Sequence, residues 1–412
     1  MDIARAADLL SQGCAAFSVP GAQLGLLRGS GRAVVCTGTR IAGEDAPVGR
    51  ETAFHAGSIA KSLAALLVVD AARRGELALD VPCAEQARGL WDDTPRALMA
   101  HTTGRANLLP ELDEDVDAFV ARIGAMPRVH APGRFSYSNA GWSVLDVLLR
   151  ERVGESFEEL AAARVLGDGA TFGQPEGAAL GHAVGPGQPP QPVPGDYAAA
   201  ASAAGARWWA TADQLLDYAR LHLDDGSAGF AVDDLRELRR PQVAIPEATV
   251  ADAWGLGWAL WDRGPHQAFG WAGFTGGHRA YLRCFPEHDA AMVLLANSAG
   301  GLFGPPGGSA LFDAILADVL DLLEVPALGP PDRGQGHADD ELVGSFGPLT
   351  LTLDPSGSFV LDAGAFGAPN PVALSRVGGD AFVAEGDPPG GLTVAVDDDL
   401  LYLGPFALPR NS

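Results

Sequence analysis

Of the 28 basic residues in this chain of 412, 27 are arginine and one, Lys61, is lysine. Arginine stays protonated in proteins, whereas a desolvated lysine gives up its proton and becomes a base. Where arginine fills every other cationic position, the single lysine marks a place that needs an amine. Three residues before it stands Ser58, in Phe54-His55-Ala56-Gly57-Ser58-Ile59-Ala60-Lys61-Ser62. The apolar run that continues to Val69 predicts a buried helix with a glycine at its entrance. Ser58 and Lys61 then share one helix face, and the amine reaches the hydroxyl. A serine in the first turn also sits beside free backbone N–H groups and the positive dipole end, which favour a developing oxyanion. The nucleophile elbow GxSxG is not met, because Ala60 replaces its second glycine. The chemistry indicated is acyl transfer through an amine-activated serine.

A second constellation is Pro132-Gly133-Arg134-Phe135-Ser136-Tyr137-Ser138-Asn139, a turn opening a helix and presenting a phenol and an amide two residues apart. Tyr137 can serve there as general base. Beside an ammonium its pKa, about 10 when free, is expected to fall, so that the pair shares the Ser58 proton.

The elements that must position these groups read as an α+β chain. A helix over 3–16 precedes a hairpin of strands 19–27 and 32–38 around Gly29-Ser30-Gly31, which feeds the Ser58 helix. From 81 to about 195 the pattern is helical and loop-rich, with helices at 115–123, 143–153 and 157–165, and reads as an inserted helical subdomain. After a proline-rich loop at 186–194 come a helix at 211–223, strands at 257–261, 280–285 and 290–296, and a helix at 309–323. Residues 1–325 thus form the main domain. The Pro-, Gly- and Asp-rich stretch 326–339 is a linker. Residues 340–412 form a small antiparallel β-domain leaning on the main one, with strands at 349–353, 358–361, 392–396 and 400–403 and turns at Asp354-Pro355-Ser356-Gly357 and Gly390-Gly391.

Hydrophobic residues make up 47% of the chain, enough for a full core, and the formal net charge is −24 without a polybasic run. Nucleic acid and anionic membrane are therefore not expected partners. The acidic N-terminus lacks an apolar signal segment, which predicts a cytoplasmic protein. Cys14, Cys36, Cys83 and Cys284 show no CxxC pairing or ligand spacing, so neither disulfide nor metal is expected, and no cofactor. Arg236, Arg239 and Arg240 read as a solvated helix face.

Together, Ser58-Ile59-Ala60-Lys61, Leu98-Met99-Ala100-His101-Thr102-Thr103-Gly104 and the Tyr137-Ser138-Asn139 turn resemble the penicillin-recognising serine hydrolases, in particular the class C β-lactamase-like branch. The resemblance runs from the first hairpin to about Leu323. It implies a β-lactamase/transpeptidase-like antiparallel sheet flanked by helices, with Ser58 as nucleophile, Lys61 and Tyr137 handling protons, and Asn139 orienting the acyl group. It also places the family's third motif, Lys-Thr-Gly or His-x-Gly, at Gly270-Trp271-Ala272-Gly273-Phe274, where Trp271 stands in place of the cation. Loss of that cation disfavours β-lactam hydrolysis and favours a larger acyl substrate. Gly273 lets substrate approach the strand, and the backbone N–H of Phe274 joins that of Ser58 in an oxyanion hole. His278 is expected either as an auxiliary acid or substrate contact in the cleft, or as a histidine held by hydrogen bonds outside it. His55 is expected to pack behind the helix.

With a compact C-terminal β-domain, the chain is most similar to penicillin-binding-protein-type thioesterases. Those enzymes release nonribosomal peptides by cyclisation. The similarity implies a peptidyl thioester substrate, presented free or on a carrier protein, and a D-residue at its acyl end. It implies a lipocalin-like C-terminal domain that sends an arginine into the cleft, for which Arg410 is the candidate. The alternative within the same site is a hydrolase, an esterase or D-amino-acid peptidase, using water as second nucleophile.

Overall fold

The computed structural model describes residues 1–411 apart from 112, 185–187, 194–202, 225–228, 301–306, 367, 369–370 and 386–392. Parts of the expected 186–194 loop and the Gly390-Gly391 turn lie outside the described residues. Helix α1 (Ile3–Ala16), capped by Asp2 accepting from the Arg5 N–H, leads into strands β1 (Gly21–Arg28) and β2 (Gly31–Gly38). Six later strands join them: β3 (Val243–Ala244), β4 (Ala253–Trp254), β5 (Ala259–Arg263), β6 (His266–Thr275), β7 (His278–Phe285) and β8 (Ala290–Ala296). The sheet order is β2-β1-β8-β7-β6-β5-β4-β3. Strand β8 is apolar at all seven positions because it lies mid-sheet with both faces covered, whereas the edge strand β2 alternates between covered and open positions.

Helices pack on both faces. Helix α1 and α5 (Gly308–Leu322) share one core with Leu24, Leu26 and Leu294. On the other face lie α2 (Ala60–Arg73), α3 (Ala140–Val153) and α4 (Ala212–Leu223), around Val293, Leu295 and Leu282. Helix α2 is buried at every position from Ala60 to Ala71, so its apolar run reflects a central helix. The helix expected over 157–165 stops at Ala161 and passes into a π-turn. The strand expected from Gly257 begins at Ala259, because Gly257, at φ +79°, belongs to a turn closed by the Gly255 N–H on the Trp258 carbonyl.

Residues 326–338 carry no helix or strand. Beyond them, β9 (Gly344–Phe346), β10 (Leu349–Leu353), β11 (Phe359–Asp362), β12 (Val372–Gly378), β13 (Ala381–Ala384), β14 (Thr393–Asp397), β15 (Leu400–Leu403) and β16 (Phe406–Pro409) pair each with the next, all antiparallel. The first and last strands meet at a Phe346–Arg410 bridge, with the Gly347 N–H on Pro409 and the Asn411 N–H on Ser345. This is a nearly closed eight-stranded barrel with its own core, including Phe346, Leu351, Leu361 and Leu401.

Candidate active site

Ser58 lies in a 3₁₀ turn (Gly57–Ile59) that feeds α2. Gly57 sits at φ +54°, and a Cβ there would come within 3.0 Å of the Gly273 Cα and the Phe274 N. A Cβ on Gly273 would fall 2.0 Å from the Ala56 carbonyl oxygen. Both positions must be glycine for β6 to lie against the serine turn, and that contact brings the Phe274 N beside the turn that carries Ser58. Strand β6 pairs with β5 only as far as Gly270–Ala259, while its pairing with β7 continues to Thr275. From Trp271 onward its other edge has no strand partner among the described residues, a ready template for an extended acyl chain.

Lys61 is fully buried, its ammonium nitrogen 3.1 Å from Ser58 Oγ, 2.8 Å from Asn139 Oδ1 and 2.6 Å from the Gly205 carbonyl. Burial lowers its pKa from 10.5 to about 7. The two carbonyl oxygens accept two N–H bonds. In the free amine, therefore, the lone pair is left for Ser58, the geometry a general base requires. The Asn139 amide is fixed in turn, since its Nδ2 and backbone N–H both donate to Asn107 Oδ1 at 2.9 Å.

The Tyr137 phenolic oxygen accepts the Trp271 indole N–H at 3.2 Å, and the nearby Ser58 hydroxyl also favours its ionised form. Contrary to the expected fall, its pKa rises, because desolvation outweighs both contributions. The Lys61 ammonium lies over the Tyr137 ring, 5.3 Å from its centroid. Burial thus favours the phenol form of Tyr137 and leaves the Lys61 amine as the candidate base. Trp271 supplies a neutral donor to Tyr137 at the position expected for a cation.

The sequence missed Asn107 and the Gly205 carbonyl. The His101 ring packs 4.2 Å from Tyr137 and its Nδ1 accepts the Ser138 N–H at 3.1 Å. Burial and the nearby Lys61 hold it well below the ordinary imidazole range. His278, expected either in the cleft or held outside it, is buried on β7. The alternation of β7 puts it with Ala280 and Leu282 on the buried face, where it packs with Phe54, His55 and Trp209. It thus sits one residue removed from the turn, since His55 Nδ1 accepts the Gly57 N–H at 3.0 Å. Arg410 is likewise spent elsewhere: its guanidinium donates to the Val343 and Glu341 carbonyls and covers the Phe346 ring, holding the barrel seam.

The barrel reaches the site by another route. The Pro405 carbonyl accepts the Tyr137 N–H at 3.1 Å, and the Phe406 ring meets the Tyr137 ring edge-on at 5.8 Å. Among the described residues no group of His, Cys, Asp and Glu is arranged to hold a metal ion, and no helix is long and apolar enough to cross a membrane.

The "Beta-lactamase" family model matches residues 6–311. Penicillin-binding protein 4 of Amycolatopsis lactamdurans is 28% identical over 348 residues, 76% of this chain and 89% of that one. The crystal structure of SurE superposes with a TM-score of 0.79 at 27% identity, covering 99% of this chain and 98% of that one. An octameric penicillin-binding protein homologue from Pyrococcus abyssi, 17% identical, shares the fold over the full length of both chains with a TM-score of 0.70. On the family match, which spans the serine, lysine and tyrosine motifs and most of the main domain, the chain belongs to the beta-lactamase family.

Proposed function

We propose that this protein takes a peptidyl thioester onto Ser58 and releases the peptide by macrolactam cyclisation. The observation that carries the first half is the buried Lys61 Nζ 3.1 Å from Ser58 Oγ, with carbonyl oxygens as its other two partners. As Ser58 Oγ bonds to the thioester carbonyl, its proton passes to Lys61, and the oxyanion rests on the Ser58 and Phe274 N–H groups. The C–S bond then breaks and the thiol leaves with a proton returned through Tyr137. In the second half the peptide's own N-terminal amine attacks the acyl-Ser58 ester. Its proton goes by the same pair to Ser58 Oγ, and the C–O bond breaks.

The cyclase reading is supported by the likeness to SurE, which extends through the C-terminal barrel. A structure of SurE with D-Leu, 26% identical with a TM-score of 0.77, supports a D-residue at the acyl end. The substrate is presented free or on a carrier protein. The test is intact-protein mass after mixing with thioesters of peptides ending in D- or L-residues. An adduct on Ser58, faster with the D-residue and absent in Ser58→Ala, is expected; an adduct elsewhere, or none, would overturn the reading.

A further inference from the structure

Tyr137 is carried by a segment, Arg134–Ser138, that belongs to no helix or strand. It is nonetheless bonded along both edges with a period of two. Ser136 and Ser138 bond to the main domain: the Ser136 N–H donates to the His101 carbonyl at 2.8 Å, the Ser138 N–H to His101 Nδ1, and Ser138 Oγ to the Ala106 carbonyl at 3.2 Å. The backbone groups of Phe135 and Tyr137 bond to the barrel. The Phe135 carbonyl accepts from the Tyr402 hydroxyl at 2.9 Å in a buried bond, and the Tyr137 N–H donates to the Pro405 carbonyl. Arg134 closes the row with ion pairs to Asp397 and Asp399 at the β14–β15 turn.

We infer that the β15–β16 turn of the C-terminal barrel is a positioning element for Tyr137, with Phe406, Pro405 and Tyr402 setting the phenol against Ser58. An extended segment bonded on one edge only is weakly specified, and here one of its two edges is supplied by the second domain. The ring is set in the same way. Four aromatic side chains surround it: His101 and Trp254 from the main domain, Trp271 from β6, and Phe406 from the barrel. Removing Phe406 takes away one of these four rings and leaves space beside Tyr137, whose ring lies 5.3 Å from the Lys61 ammonium. Neither Phe406 nor Tyr402 needs to touch substrate for this. The barrel is thereby part of the acylation machinery through Tyr137, and its arginine at position 410 is not.

The inference rests on the acyl-transfer reading only in taking Ser58 as nucleophile, so its test uses a serine-directed fluorophosphonate rather than a thioester. Failure of cyclisation leaves this test intact. Labelling of Ser58 is followed by intact mass from pH 5 to 10 in the full chain and in Phe406→Ala, Phe406→Leu and Tyr402→Phe. Phe406→Ala is expected to slow labelling at saturating reagent about tenfold or more, with the half-saturating concentration within twofold, and to move the acid limb up by about half a pH unit as Lys61 is rehydrated. Phe406→Leu restores most of the rate. Tyr402→Phe keeps the packing, loses one bond to the Phe135 carbonyl, and slows labelling about three- to tenfold. Unchanged rate and limb in Phe406→Ala or in Tyr402→Phe, with cooperative unfolding preserved, would overturn the inference. So would a slowing that leaves the limb in place and that Phe406→Leu does not rescue, since a merely structural role predicts that pattern.

Discussion

Replacing Lys61 by arginine keeps a positive charge beside Ser58 and removes an amine whose pKa burial has brought down to about 7. With a pKa of about 7, about half of the Lys61 amines are free base at pH 7, against roughly one in three thousand for a lysine at 10.5. The site therefore gains about a thousandfold in competent base, and Lys61→Arg forfeits all of it because a guanidinium holds its proton. Fluorophosphonate labelling of Ser58 reads this directly. The parent enzyme is expected to show a rate that rises through a midpoint near pH 7 to a plateau, and Lys61→Arg a rate at least about a thousandfold lower at pH 7.5 with no limb near 7. Labelling of Lys61→Arg at the parental rate, or a parental limb near 10, would refute the reasoning from buried amine to base.

The same pKa carries a stability prediction. A lysine whose pKa falls on folding leaves the unfolded chain binding more protons between about pH 7 and 10.5, so its burial penalty is complete below 7 and relaxes as pH rises. Between pH 6 and 9 the parent should gain roughly 2.5 kcal/mol relative to Lys61→Met in denaturant titrations, an order-of-magnitude figure from that linkage; equal slopes would contradict it. Trp271→Phe keeps the ring but deletes the N–H bond to Tyr137, and should slow Ser58 labelling about three- to tenfold with Tm within a few degrees of the parent. Gly273→Ala drives a Cβ to 2.0 Å from a backbone carbonyl that cannot step aside, and should cost at least about a hundredfold in labelling rate together with a lower Tm. Arg410→Ala should lower stability by about 1–2 kcal/mol through the orphaned barrel-seam carbonyls while leaving the labelling rate within twofold; a lost rate with unchanged Tm would return Arg410 to the cleft.

Where chemistry demanded a residue type, the site was legible. A lone lysine three residues after a serine, and a tyrosine two before an asparagine, announced themselves by type and spacing, and the structure brings all four together. Long periodic helices such as Ala212–Leu223 were legible for the usual reason, and its Thr211 and Gln214 form a capping box that marks its start. What escaped was whatever depends on distant backbone. The Gly205 and Pro405 carbonyls have no side-chain signature, and Asn107 is one asparagine in a loop until its Oδ1 is seen holding Asn139. The pKa of Tyr137 was misjudged because a nearby ammonium is visible in sequence, whereas the burial of the ring is not. Strands Val372–Gly378 and Phe406–Pro409 were missed for a related cause. The first shows mostly exposed residues and a bulge at Arg376–Gly378, and the second ends in a proline. Arg410, the last arginine of the chain, sits where the barrel must close, and closure is a property of all eight strands.

The central claim is that an acyl group held on Ser58 is passed to the peptide's own amine. It is tested most directly by incubating the enzyme with a linear peptidyl thioester ending in a D-residue and reading product mass and intact-protein mass in the same time course. The account predicts a transient acyl adduct on Ser58 followed by a product one water lighter than the linear acid. Linear acid alone, after the same adduct, would contradict cyclisation and leave a hydrolase of this fold.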